Sequence, residues 1–187
     1  MLMNRFLRWI DENRAERLVP ILKPHIHGST LDVGCWNGDV IKRLGHKPVI
    51  GIDIVDPPQP QIEVMRFDGI HIPFPDKTFD TVLCSTMLHH AQKPDLLLEE
   101  MKRVGRKLVV LEDSVDTFLE KASVVLLHAI GSRLVKMPYR LSGFRSRESW
   151  HRFFEEFGLK VISCTRHPGI QPFWLFLRHY LFILEPL

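Results

Sequence analysis

The stretch TLDVGCWNGDV, Thr30 to Val40, joins a short apolar run to a carboxylate, Asp32, and two glycines, Gly34 and Gly38, with Trp36 between them. Without side chains, the glycines let backbone N–H groups and the start of the following helix approach an elongated ligand. The pattern D-x-G-x-x-x-G lacks the third glycine of a dinucleotide fingerprint and carries an indole in its middle, so it matches that fingerprint poorly. Asp53 ends the next apolar run, GIDI, 21 residues beyond Asp32. A carboxylate there can accept both hydroxyl hydrogens of a ribose, although it can also cap a turn before Pro57. His89 and His90 come after a further apolar run, where an imidazole titrating near neutrality could take a proton from an acceptor or simply shape a loop. Glu112 and Asp113 end another run, placed either to steer a polar acceptor or to cap the next segment.

These residues need a scaffold that aligns strand ends. STLDV, PVIGIDIV, IEVMRFD, TFDTVLCSTML and RKLVVLED read as strands, and GDVIKRLG and DLLLEEMKRVG as helices between them. Mostly Val, Ile and Leu strands alternating with helices predict an α/β, doubly wound, Rossmann-like parallel sheet with helices on both faces. Before it, an amphipathic helix is expected over residues 2–19, ending at Pro20. After Glu112 an inserted helical cap is expected over about residues 114–147. A helix opening at Ser146 and stopping at Gly158 comes next, then LKVISCTRH and WLFLRHYLFILE, whose short connection implies an antiparallel pair.

The length, 187 residues with 45% hydrophobic content, suits a single domain, here 1–187. A formal net charge of +3 permits an anionic ligand without requiring one. Three unspaced cysteines argue against a disulfide scaffold or a cysteine metal site and fit a reducing, cytoplasmic setting. No metal is expected. The N-terminus lacks the pattern of a signal peptide, and the apolar runs are too short or too interrupted to span a membrane. Between Ser114 and Arg152 seven Lys or Arg stand against three Asp or Glu; Tyr139, Arg140, Arg145 and Arg147 could line an acceptor site or form a solvated basic face.

LDVGCWNGD, GIDI, FDGIHIPFPDKTFDTVLCSTMLHH and LVVLED together resemble the class I S-adenosylmethionine-dependent methyltransferases, small-molecule type, across Leu31 to Asp113. The resemblance implies a seven-stranded sheet with its last strand antiparallel, S-adenosylmethionine as cofactor and S-adenosylhomocysteine as product. It also implies site residues. Gly34 and Gly38 would lie beside methionine and ribose, Asp32 near the methionine amino group and Asp53 on the ribose hydroxyls. Asp68 and Gly69 would meet the adenine edge, Ile54 an adenine face, and the Cys84 backbone the methionine end. The chain departs from the family at Trp36, where glycine is usual, and an indole there is expected either to lean outward and close a wall over the cofactor or to occlude the site. The expected acceptor is a small or lipid-like molecule, with nucleic acid unfavoured because no aromatic base-flipping motif comes after the fourth strand and CSTM stands there instead. The alternatives are a protein or RNA acceptor, or a non-catalytic partner subunit; a homodimer is an assembly compatible with each.

Overall fold

The computed structural model describes residues 13–45, 48–57, 59–124, 143–168 and 178–187. Seven strands form one sheet: β1 (Thr30–Val33), β2 (Val49–Asp53), β3 (Val64–Arg66), β4 (Phe79–Ser85), β5 (Gly105–Ser114), β6 (Leu159–Pro168) and β7 (Arg178–Pro186). Their spatial order is β3-β2-β1-β4-β5-β7-β6. The first five run parallel, while β7 is antiparallel to both β5 and β6, as the short connection between the last two strands requires.

The apolar runs are nearly continuous because both faces of the sheet are covered. Val82, Cys84, Leu108, Val110, Phe182 and Leu184 point into one core with helices α3 (Pro94–Val104) and α5 (Arg147–Glu156). Leu83, Val109, Leu111, Leu181 and Ile183 alternate with them and point into the other, under helix α1 (residues 13–22) and Leu44 of α2 (Asp39–Leu44). A further helix, α4 (residues 118–124), comes after β5.

Helix α1 continues two residues past Pro20, where the sequence predicts a stop. Leu18, Leu22 and Ile26 repeat at a spacing of four and are fully buried against the second core, so packing outweighs the missing proline N–H. Residues 2–12 of the expected helix, most of the expected cap (125–142) and the start of the expected last strand lie outside the described residues. Other boundaries obey local chemistry: Gly45 ends α2 in the left-handed conformation, and Ser146 caps α5 by accepting from the Ser149 N–H at 3.2 Å. The IPFPD turn is pinned by α3. Arg103 donates to the carbonyls of Ile72 and Phe74 and pairs with Asp76 and Glu100, while Glu100 accepts from the Ile72 N–H.

Helix α5 anchors the antiparallel end through Trp150, which stacks on Phe154 at 5.7 Å, and Phe154 meets Phe182 edge-on at 5.1 Å. All three are fully buried. Phe154→Ala is expected to destabilise the fold by about 3–5 kcal/mol in urea unfolding; a loss under about 1 kcal/mol would show that this side of the core collapses to fill the cavity.

Candidate functional site

Strand order reverses between β1 and β4, and at their carboxyl ends the sheet gathers its acids. Asp32 on β1, Asp53 on β2, and Glu112 and Asp113 on β5 are all buried. Parallel register brings these ends to one edge: Asp32 lies beside Gly51 of β2 and Leu83 of β4, and Ser85 beside Leu111 of β5.

The glycine loop is built around Asp53. Gly34 and Cys35 donate to the Ile52 carbonyl at 2.9 and 3.2 Å, turning the chain across the end of β2. Trp36 then adopts φ +51°, the left-handed region, which explains why a glycine suits this place. Its N–H donates to Asp53 Oδ2 at 2.8 Å, and the Val55 N–H to Oδ1 at 3.2 Å. The carboxylate is thus held in one orientation with acceptor capacity remaining on both oxygens. Beyond it, Ile54 is 44% exposed, and a Cβ on Gly69, whose φ is +86°, would lie 3.1 Å from the Ile54 side chain. Asp68, on the same rim, accepts from the Ile70 and His71 N–H groups and the His71 ring, which holds its carboxyl down to about 2.

Asp32 sits deeper. Burial pushes its carboxyl up to about 7, against the opposing pull of Arg14 and with a further push from Asp53. Arg14 of α1 carries no signal in the sequence, because there it is one charge on an amphipathic helix. In the structure it donates to the Ser85 carbonyl and to Thr86 Oγ1, straddling the β1/β4 switch point. Cys84, fully buried beneath, has its thiol raised well above the ordinary range by burial, Glu112 and Asp32, which disfavours the thiolate form.

The turn after β4 is strained. Thr86 has φ +51°, unusual for a β-branched residue and costing on the order of 1–3 kcal/mol. Its N–H is held by the Leu111 carbonyl at 2.6 Å. Glu112, fully buried, accepts from the Met87 and Leu88 N–H groups on Oε1, at 3.0 and 2.7 Å, and faces His89 Nδ1 at 2.5 Å with Oε2. Met87 in turn packs on the glycine loop, where a Cβ on Gly34 would fall 2.2 Å from Met87 Cγ.

His89 is buried too. Burial lowers its pKa, but Glu112 and Asp113 outweigh that and leave it raised. Asp113 lies 3.0 Å from His179 Nε2 on the neighbouring β7, and the histidines around it hold its carboxyl low despite burial. Glu112 and Asp113 therefore face the turn and β7, not an open acceptor cleft: both ends of the Glu112 carboxylate are engaged inside the protein. His90 is half-buried, its ring centroid 4.0 Å from that of His89. Arg145 lies over the Phe153 and Trp150 rings at 4.3 and 5.3 Å and lines a small pocket with Leu88, Ala91, Gln92, Pro94, Gly143 and Trp150. Arg147 pairs with Glu148 on α5. Tyr139 and Arg140 lie outside the described residues. Among the described residues no cluster of His, Cys, Asp and Glu could hold a metal, and no helix is long and apolar enough to cross a membrane.

Residues 31–111 match a family model described as a methyltransferase domain. An uncharacterized protein of Methanocaldococcus jannaschii is 30% identical over 170 residues, covering 85% of this chain and 79% of that protein. A tRNA U34 carboxymethyltransferase of Nautilia profundicola is 35% identical over 99 residues, 44% of this chain and 33% of that enzyme. The chain spans about one third of the length of such carboxymethyltransferases. Among solved structures, a chain of the complex between the Haloferax volcanii Trm112 methyltransferase activator and a methyltransferase shares the fold, with a TM-score of 0.73 at 13% identity over 94% of this chain and 92% of that one.

The tRNA-modifying relatives correct two expectations, that the acceptor is a small or lipid-like molecule and that nucleic acid is an unfavoured partner. The physical reason is that the motifs carrying the resemblance shape the cofactor edge, which methyltransferases of many acceptors share, while the acceptor is read by surfaces outside them. The family match and the strand order agree, and the extended relative carries the likeness over most of the chain: this chain belongs to the methyltransferase-domain family and has the class I S-adenosylmethionine-dependent methyltransferase fold.

Proposed function

We propose that this methyltransferase modifies RNA, with tRNA as its substrate class. The observation that carries the reading is the 35% identity over 99 residues with a tRNA U34 carboxymethyltransferase. The excess of cations between Ser114 and Arg152 fits it, because an RNA acceptor brings a polyanionic backbone that lysine and arginine can neutralise. Action within a single domain, in the cytoplasm, accords with this reading.

The residues at the strand ends fit an adenosyl cofactor by their chemistry. Asp53, oriented by two N–H donors, would accept from the ribose hydroxyls, and the backbone at Gly34 and Gly38 would run beside methionine and ribose. Ile54 offers an exposed apolar face for the adenine, with Gly69 and Asp68 at its edge. Asp32 would balance the cationic methionine end, near the Cys84 backbone. Trp36 would stand as a wall, its backbone serving Asp53. When bound, S-adenosylmethionine supplies an electrophilic methyl group. The chain's own contribution is to hold donor and acceptor in line, which can account for much of a methyl-transfer rate. His90 would take the proton of an acceptor atom that must lose one, with His89 fixed behind it; Arg145 would face the acceptor's anionic backbone.

Incubation with unfractionated tRNA and S-adenosylmethionine labelled in the methyl group is expected to put label into ribonuclease-sensitive material. Label only in added protein, or none in RNA with active controls, would sink the RNA reading. In that assay His90→Ala is expected to lower turnover at least tenfold while leaving cofactor affinity within about threefold; an unchanged rate would make it a loop histidine. Asp53→Ala should weaken cofactor binding more than tenfold by calorimetry, and equal affinity would remove the ribose role.

A further inference from the structure

We infer that Glu112 is the positioning residue for methyl transfer: its single buried carboxylate holds the turn after β4 so that Met87 meets the glycine loop and His90 meets the acceptor. The catalysed reaction itself comes from the family; the part about His90 rests on the proposed acceptor role above.

Three observations converge on Glu112. It is fully buried at the end of β5, and the groups it bonds lie 23 to 25 residues upstream, in the turn. The turn needs an external clamp, since Thr86 carries a left-handed φ of +51° and the sequence there contains no glycine to relax it. Arg14 and the Leu111 carbonyl hold Thr86 from one side, and Glu112 holds Met87, Leu88 and His89 from the other.

The clamp joins two regions that a methyl transfer must bring together. On the cofactor side, Met87 packs on Gly34 so closely that a Cβ there would come within 2.2 Å of its Cγ. On the other side, Gly143 lies against the His89 carbonyl, which a Cβ would approach to 1.8 Å, and the Phe144 ring is 4.6 Å from the His89 ring. The segment is fixed just beyond the end of β5 by the Val115 N–H donating to the Arg145 carbonyl at 3.1 Å. His89 is the hinge of this arrangement, faced by Glu112 and Asp113 from β5, by Arg14 from α1 and by His90 from its own turn. A carboxylate fits this place because one oxygen can take two backbone donors while the other takes an imidazole N–H; a neutral amide of the same shape supplies only the first.

Glu112→Gln separates the two halves of the clamp. The amide oxygen can still accept from Met87 and Leu88, while its NH2 group meets His89 Nδ1 in place of an acceptor. With the folded variant, the Met87 and Leu88 amides are expected to exchange with solvent within about threefold of the wild-type rate, the slowly exchanging His89 Nδ1 proton to be lost, and methyl transfer to unfractionated tRNA to fall more than tenfold, while S-adenosylmethionine affinity changes by less than fivefold. A parallel loss of cofactor affinity and turnover, or an unchanged rate of transfer, would overturn the positioning role. Nitrogen-15 spectra of the wild-type protein provide a readout that needs neither the variant to fold nor RNA to be the acceptor: a slowly exchanging His89 Nδ1 proton is expected to persist above pH 7. Its absence would overturn the inference. A wild-type protein with that proton but without transfer to tRNA would instead overturn the RNA reading and leave the clamp standing.

Discussion

A carboxylate removed from water must be surrounded by donors, paired with a cation, or protonated, and strands β1, β2 and β5 of this sheet each bring acid to the same edge. Each acid meets the constraint differently. Asp53 is met by the Trp36 N–H of the glycine loop and the Val55 N–H just beyond its own strand, Glu112 by backbone donors and an imidazole, and Asp32, with Arg14 nearby, by a carboxyl pushed up to about 7. The loops at the carboxyl edge take their shapes from these demands. Trp36 turns left-handed to present its N–H to Asp53, and the turn after β4 presents three donors in succession to Glu112.

Strands and loops accordingly divide the labour. Interleaved side chains of β4, β5 and β7 fill two cores, one under α3 and α5 and one under α1 and α2, and fix the strand ends relative to one another. Loops that would otherwise be mobile are then tied to those fixed ends through buried acids. The two strained non-glycine residues of the site, Trp36 and Thr86, each stand beside one of these acids or its clamp, where surrounding bonds can over-determine the backbone.

Much of this architecture is legible in the sequence because it depends on local pattern. Continuous apolar runs mark strands buried on both faces, Gly45 and Ser146 mark helix ends, and the two-glycine spacing after Asp32 marks the loop. Pro20 misleads because the burial of Leu22 and Ile26, which carries α1 past it, is a tertiary fact. The role of Arg14 and the clamp made by Glu112 are hidden for a related reason: their partners lie about 71 and 25 residues away, and no spacing rule connects them. The acceptor is misread from the sequence since the most distinctive motif, around IPFPD, is held by Arg103 and Glu100 of α3 and carries information about the scaffold, not about what is methylated.

On the proposed function the acidic edge would hold the cationic cofactor, with Asp32 supplying charge as it loses its proton. The most direct measurement is calorimetric titration of the chain with S-adenosylmethionine at pH 6 and at pH 7.5. Because the Asp32 carboxyl is raised to about 7, it is mostly protonated at the lower pH and mostly ionised at the higher. The account predicts one site per chain that binds several-fold more tightly at pH 7.5, and an Asp32→Asn variant in which that difference disappears. A folded chain that binds nothing at either pH, or one whose affinity is the same at both, would contradict it.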